Sequence, residues 1–549
     1  MMNTSGITGL LAALVVTHVY MYGTLASPQP TCRCTPEDPC WPSEAKWQVL
    51  TESVAGKLIQ THPIAESCYG GPAADASTCD YVTSMWTHQG FQTSNPIGRV
   101  YPWNISCAPV NHTAGDIPTT CSLGINPRYV VNATTRSDIL ATLEFAKQHN
   151  IRLVTASTGH DLLGRSDGYG SLEVWLRRSN WTGSAIEIDG AWQWKDVYPV
   201  AQANNVIEVG GGSGGGHGPA TRNYGLGADQ ILEAEIMLAS GEVVLLNHCV
   251  NVDLFRAIRG GGPGYGVVLK TVVKAYPNVD GVTAQHVAIS PLAPTASNGS
   301  DVLDAVVVLL QSYADLNDAG CAGYSYWFRT SPTSFMIAFA PVREKLQVFN
   351  DTLTISETYT QYADYWSFYW AESGLYDNSA GDTATMSSRL IDRDAVSNST
   401  RVRETIDIMS GTPEEGATNI AMLVSGGQVF EDAADQTSGL NPAWRRCHFL
   451  LAVGRPVPRN ATHDVRKLVA DDVTFVKGAA MKRLAPNTGG YMNQGDRNDP
   501  DHITTFYGEN YPSHLAAKKK FDHHDLFYCP TCVGSEAFVE RPDGPLCRV

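Results

Sequence analysis

Charge is scarce in this chain, and positive charge scarcer still. Asp, Glu, Lys and Arg make up 17% of the 549 residues, and the formal net charge is −16. A surface that grips nucleic acid or an anionic membrane needs clustered Lys and Arg, so neither partner is expected here. The one basic run, Lys518–Lys520, reads as a solvated helix face. Internal repeats and low-complexity tracts are missing, apart from one glycine-rich stretch. Past the N-terminal region, so is any apolar run long enough to cross a bilayer. Paired cysteine motifs at zinc spacing are absent. "CPTC" at Cys529–Cys532 stands alone and reads as disulfide partners rather than a metal half-site or a redox pair. His523 and His524 are neighbours that do not face one ligand, so they read as surface histidines. With 43% hydrophobic residues, the composition is that of a globular protein with more than one sizeable core.

The N-terminus carries "ITGLLAALVVTHVYMYG", apolar and uncharged, followed by a small-x-small site at Thr24-Leu25-Ala26. Residues 1–26 read as a secretory signal peptide, although no Lys or Arg precedes the apolar run. An uncleaved anchor is the alternative. The expected location is therefore secreted or within the secretory pathway, with no membrane contact once the signal is removed. Seven of 13 cysteines fall before residue 125, so 27–123 reads as a disulfide-tied lead-in. Thirteen is odd, which leaves at least one thiol outside an internal pair. Sequons for N-glycans lie at Asn104, Asn111, Asn132, Asn180, Asn298, Asn350, Asn398 and Asn460, some of them expected to go unused.

Periodicity divides the rest. "YVV" reads as a short strand. "SDILATLEFAKQHN" places Ile139, Leu143 and Ala146 on one helical face, with Ser137 able to cap the start and Asn150 to end it. "IRLVTA" and "LEVWL" read as buried strands. "DQILEAEIML-ASG-EVVLLN" reads as two strands about a Ser-Gly turn, and "VDLFRAI" as a short helix before a glycine loop and a β-branched strand. From about Val279 the glycine clusters stop. "DVLDAVVVLLQSYADL" and "REKLQVFNDTL" then read as helices among the strand-like runs "SYWFRT", "FMIAFA" and "FLLAVG". The expected domains are 124–278, 279–485 and a C-terminal segment, 486–549.

Two glycine-rich stretches carry the chemistry. "IEVGGGSGGGHGPATRNY" could be a flexible linker or a backbone that closely approaches a phosphate. "TASTGHDLLGRSDGYG" runs from a strand into Gly159-His160-Asp161 and Gly164-Arg165-Ser166. Such a loop can aim N–H groups at a pyrophosphate, with Ser166 as a further donor. Its alternative is a turn whose His160 satisfies its own loop.

"STGHDLLGRS" resembles the histidine loop of flavoproteins related to vanillyl-alcohol oxidase and berberine bridge enzyme. The likeness continues through "YGLGADQILEAEIMLASGEVV", "NVDLFRAIRGGGPGYGVVLKTVVKAYP", "NPAWRR", "GGYMNQGD" and "FYGENYPSHLAAKKKFDHHDLFYCPTC", and so spans most of the chain. The N-terminal "CRCTPEDPCWPSEAKW" is similar to the lead-in of secreted fungal members. The resemblance implies an α+β fold: a two-subdomain PCMH-type FAD-binding domain and an α+β substrate domain with an antiparallel sheet. The C-terminal berberine-bridge-like segment would return to the FAD domain.

It also implies FAD, bonded covalently through His160. Ser157, Thr158, Gly159, Asp161, Gly164, Arg165 and Ser166 match the pyrophosphate loop. Gly215, Gly216 and His217 belong to the second glycine loop at the cofactor. Gly227, Ala228, Asp229 and Val268 match positions lining the cofactor cleft. Tyr491 and Asn493 match the Y-x-N element beside the flavin ring, with Tyr491 as the candidate catalytic residue. No metal is implied.

The chain departs from the family at two places. "VIEVGGG" meets "SGGGHGP" almost directly, where many members carry a longer loop with a second flavin-linking cysteine; Ser213 stands near the junction. Gln494 replaces the acidic residue common after Y-x-N. The expected activity is hydride transfer to flavin from a small-molecule alcohol, amine or secondary-metabolite intermediate. Molecular oxygen is the expected acceptor, with peroxide released. The alternatives are a dehydrogenase using another acceptor, or a non-catalytic member with a contracted cofactor loop.

Overall fold

The computed structural model describes residues 32–110, 120–157, 159–176, 186–189, 192–210, 216–292, 300–327, 333–335, 340–372, 380–459, 461–541 and 544–549. The signal region, Thr158, Ser213, Gly215 and four of the sequons (Asn111, Asn180, Asn298 and Asn460) lie outside them.

Strand Tyr129–Ala133, helix Arg136–Gln148 and strand Leu153–Ala156 form a strand–helix–strand crossover unit. Strand Leu172–Leu176 lies between the two strands, parallel to both, and lead-in strand Leu58–Gln60 closes the far edge antiparallel. The helix starts two residues earlier than expected. Thr135, not Ser137, is the N-cap, because Thr135 Oγ1 accepts from the Asp138 N–H at 3.2 Å and Asp138 returns the bond to the Thr135 N–H at 2.9 Å. That reciprocal box satisfies two orphan donors, which Ser137 alone could not do. The helix is followed by Asn150 in the left-handed region at φ +52°. Its inner face packs Ile139, Leu143 and Ala146 against the sheet, together with lead-in residues Trp47 and Leu50.

A second sheet, antiparallel, runs in the order Ile186–Asp189, Val267–Val273, Ile231–Met237 and Val243–Asn247. The hairpin between the last two turns at Ser240-Gly241, where the Leu238 N–H donates to Glu242 O. Helix Val252–Ile258 covers this sheet beside C-terminal helix Tyr511–Phe521, through Leu254, Phe255 and Ala517.

The third sheet is antiparallel with seven strands, from Leu353–Tyr362 at one edge to Thr383–Ile391 at the other. Helix Ser300–Asp318 buries Val302, Leu303, Val306, Leu309 and Leu310 on it, and helix Ser399–Ser410 packs alongside. The expected "REKLQVFNDTL" helix is shorter. It ends at Leu346, passes through a tight turn and gives way to the edge strand at Leu353.

Five disulfides form. Cys34–Cys40, Cys68–Cys79, Cys107–Cys121 and Cys529–Cys532 are local, whereas Cys32–Cys547 joins the two ends of the chain across 515 residues. Cys249, Cys321 and Cys447 are free thiols. Lys518 overturns the reading of 518–520 as a solvated face. Lys519 and Lys520 are exposed, but Lys518 is buried. It donates to Gly264 O at 2.6 Å, Phe527 O at 2.8 Å and Asp522 Oδ2 at 2.5 Å. All three ammonium donors are satisfied, so burial is affordable there.

Candidate active site

Strand Leu153–Ala156 delivers the chain into a loop that doubles back at two left-handed glycines, Gly159 (φ +71°) and Gly164 (φ +65°). A Cβ on Gly159 would lie 2.9 Å from Gly98 O, and one on Gly164 would lie 2.8 Å from both Trp103 and Arg497. Close approach as well as backbone angle therefore demands glycine. Within the loop, the Asp161 carboxylate accepts from the Arg165 N–H. Arg165 then reaches outward: Nη1 donates to Asn493 Oδ1 at 3.0 Å and Nη2 to Met492 O at 2.8 Å. Asn493 Nδ2 donates to the Tyr491 hydroxyl at 3.0 Å. The histidine loop and the Y-x-N element, more than 300 residues apart, thus make one polar chain, Asp161–Arg165–Asn493–Tyr491.

The lead-in grips the same loop from the other side. Val100 N–H donates to Gly159 O at 2.8 Å, and the Gln89 side-chain amide lies 2.5 Å from His160 Nε2. Arg99 spends all five N–H donors: Nε on Asp167, Nη1 on Pro96 O and Gly98 O, and Nη2 on Ser166 O and Glu173. Asp167 and Glu173 are both buried. Burial pushes Glu173 up to about 7 against the pull of Arg99. The attraction keeps the guanidinium charged without fully offsetting the carboxyl's desolvation.

A cleft of about 320 Å³ opens beside this loop. Ser157, Gly159, His160, Asp161, Arg165 and Ser166 line one side of it, and Gly264 and Phe527 stand among the residues of the other. Asn493 also lines it.

The second glycine stretch returns at Gly216, held at φ +143°. A Cβ there would sit 3.0 Å from the Tyr491 hydroxyl, and Gly216 O accepts from the Gly227 N–H at 2.8 Å. His217 is buried, with its ring centroid 5.2 Å from that of Tyr491. Its Nδ1 meets the Tyr324 hydroxyl, from the seven-stranded sheet, at 3.3 Å. Burial pushes the imidazole down to about 4, so it is neutral at physiological pH. His217 Nε2 and Gln494 Oε1 are buried and neither completes a hydrogen bond, although Gln494 is near enough to oppose the fall slightly. Burial likewise pushes the Tyr491 phenol well up, which keeps it protonated.

Ala228, Asp229 and Val268 have partners of their own. Asp229 is taken by Arg445 in a two-pronged pair at 2.7 and 2.9 Å, which ties the cofactor domain to the "NPAWRR" segment. Ala228 O accepts from Arg259 Nε at 3.0 Å. Val268 packs with the core that holds Ala234, Leu246 and Phe255. None of the three lines the cleft beside His160.

Sequence patterns gave no hint of Gln89, Arg99, Trp103 or Arg497, which brace the loop. Nor did they point to Glu208, which is 1% exposed with neither carboxylate oxygen hydrogen-bonded. Burial raises its pKa well above the usual range, beside Tyr198, Tyr365 and Tyr369.

A strand-fed loop with glycines where side chains would clash, a histidine at its turn and a tyrosine wired to it from a second element is a cradle that fits a dinucleotide-sized flavin. Comparison with known proteins agrees. A family model described as an FAD binding domain matches residues 127–247. The FAD-linked oxidoreductase hmp9 of Hypomyces subiculosus is 55% identical, over 94% of this chain and 91% of its own. The FAD-linked oxidoreductase apf9 of Gibberella fujikuroi is 34% identical, over 94% of this chain and 97% of its own. The crystal structure of the VAO-type flavoprotein MtVAO713 from Myceliophthora thermophila C1 superposes with a TM-score of 0.91 at 53% identity, covering 95% of this chain and all of that one. The chain belongs to the VAO-type FAD-linked oxidoreductases, and FAD is its cofactor.

Proposed function

We propose that this protein is a secreted, N-glycosylated oxidase that removes a hydride from an alcohol or amine carbon of a small secondary-metabolite-like substrate. FAD, bonded to His160, supplies the two-electron acceptor, and molecular oxygen reoxidises it with release of peroxide. The observation that carries this reading is the Tyr491 hydroxyl set under Gly216, bonded to Asn493 and flanked by His217.

A protonated phenol orients the substrate's O–H or N–H. The neutral His217 imidazole, with Nε2 buried close to Gln494, stands beside it to receive the proton. Tyr324 places the seven-stranded sheet at the same point, so substrate enters between that sheet and the cofactor domain. The test is a flavin spectrum of the purified protein, followed by oxygen uptake and peroxide release across a panel of primary and secondary alcohols and amines. Reoxidation by a dye but not by air would make it a dehydrogenase. A colourless protein after addition of FAD would overturn the reading.

A further inference from the structure

We infer that Gln89, carried by the disulfide-tied lead-in, is the positioning residue that prepares His160 for its bond to flavin. The inference rests on the attachment at His160 proposed above. Gln89 is the first residue of helix Gln89–Ser94, and its amide nitrogen lies 2.5 Å from His160 Nε2. The helix is not free to drift. Gln92 donates to Trp86 O at 2.7 Å, Gly98 is packed against Gln92 O, and the next residues along, Arg99 and Val100, bind Ser166, Asp167 and Gly159. Cys68–Cys79 and Cys107–Cys121 pin the lead-in on either side. The contact thus comes from a rigid support, as a residue that orients a reactive imidazole requires.

Glutamine suits both stages of the reaction, because its amide both accepts and donates. Before the bond forms, the amide turned over from the orientation seen here presents its oxygen to Nε2–H, which fixes the tautomer with the lone pair on Nδ1, the nitrogen that attacks. Nδ1 bonds to the 8α-methyl carbon of the flavin, and a C–H bond there is lost. The two hydrogens displaced, one from carbon and one from the imidazole, leave with two electrons for molecular oxygen, the acceptor already proposed, which becomes peroxide. The product imidazole carries a lone pair on Nε2, and the Gln89 amide nitrogen donates to it in the orientation seen here. A carboxylate at this position would accept in the first stage but could not donate in the second.

The test uses the full-length chain produced under flavin limitation and loaded with FAD. The readouts are flavin retained by acid-precipitated protein, its rate of attachment, and the linked nitrogen identified in the isolated histidyl-flavin. For Gln89→Leu the attachment rate should fall on the order of 10- to 100-fold, with FAD still bound reversibly and the apoprotein melting temperature unchanged. Gln89→Glu, which preserves shape, should attach faster than Gln89→Leu, and guards against a folding failure of the latter. Attachment in Gln89→Leu at the wild-type rate, or linkage through Nε2 in the wild type, would overturn the role of Gln89. Wild-type protein that releases all its flavin in acid would instead overturn attachment itself, and Gln89's role with it.

Discussion

Arg99 and Glu173 meet at 2.6 Å, both buried, and Asp167 completes the group from 3.0 Å. One guanidinium from the lead-in therefore neutralises two carboxylates of the cofactor domain and at the same time holds the carbonyl of Ser166 in the flavin loop. Arg99→Met should destabilise the protein by about 3–5 kcal/mol in denaturant unfolding, since two carboxylates lose their partner. Its FAD occupancy should fall as well. Glu173, raised to about 7 in the fold from an ordinary 4.5, favours the folded state most when protonated, and that advantage is lost as pH rises through 7. The deficit of Arg99→Met should accordingly be smaller at pH 5 than at pH 8.

His217 and His514 govern the acid side. Burial pushes each down to about 4, and His514 Nε2–H donates to Gly439 O at 2.9 Å. Their folded values lie below the unfolded value of 6.5, so the unfolded chain binds protons that the folded chain refuses. Stability should fall as pH drops from 6.5 towards 4, by at most about 3 kcal/mol per histidine. His514→Gln should flatten that slope in a pH series of melting curves, while leaving the melting temperature above pH 7 nearly unchanged.

Tyr491→Phe keeps the ring that packs on His217 and Trp444 and removes only the hydroxyl. With FAD content equal to wild type, turnover of any substrate found should fall roughly 10²–10⁴-fold. Equal turnover would remove Tyr491 from the chemistry.

Lys518 supports the opposite wall of the cleft through Gly264 O and Phe527 O. Lys518→Met strands Asp522 in a buried position and should cost about 3–5 kcal/mol. FAD titration of the apoprotein should also show weaker binding, whereas substitution of exposed Lys519 should change neither.

Much of this arrangement was legible in the chain. The crossover unit, the hairpin at Ser240-Gly241 and the histidine loop are local patterns, in which periodicity and glycine placement carry the information. What holds the loop was not legible, because Gln89, Arg99 and Arg497 act across long separations and each, read alone, is an ordinary polar residue. Lys518 shows the same limit. A run of three lysines reads as solvent-facing until three acceptors gather around one of them. Asn132 is a sequon by pattern but lies inside a paired strand with its amide oxygen buried, whereas Asn350 and Asn398 are exposed.

The Cys32–Cys547 bond gives the molecule an order of assembly. Every other disulfide closes over 14 residues or fewer and needs only its own segment and an oxidant. Cys32 must wait for a partner 515 residues downstream, with Cys34 and Cys40 beside it as competitors for the same oxidant. Oxidation that comes too early would lock the lead-in to itself. Closure of Cys32 onto Cys547 therefore requires that both segments gripping the flavin loop have already been made.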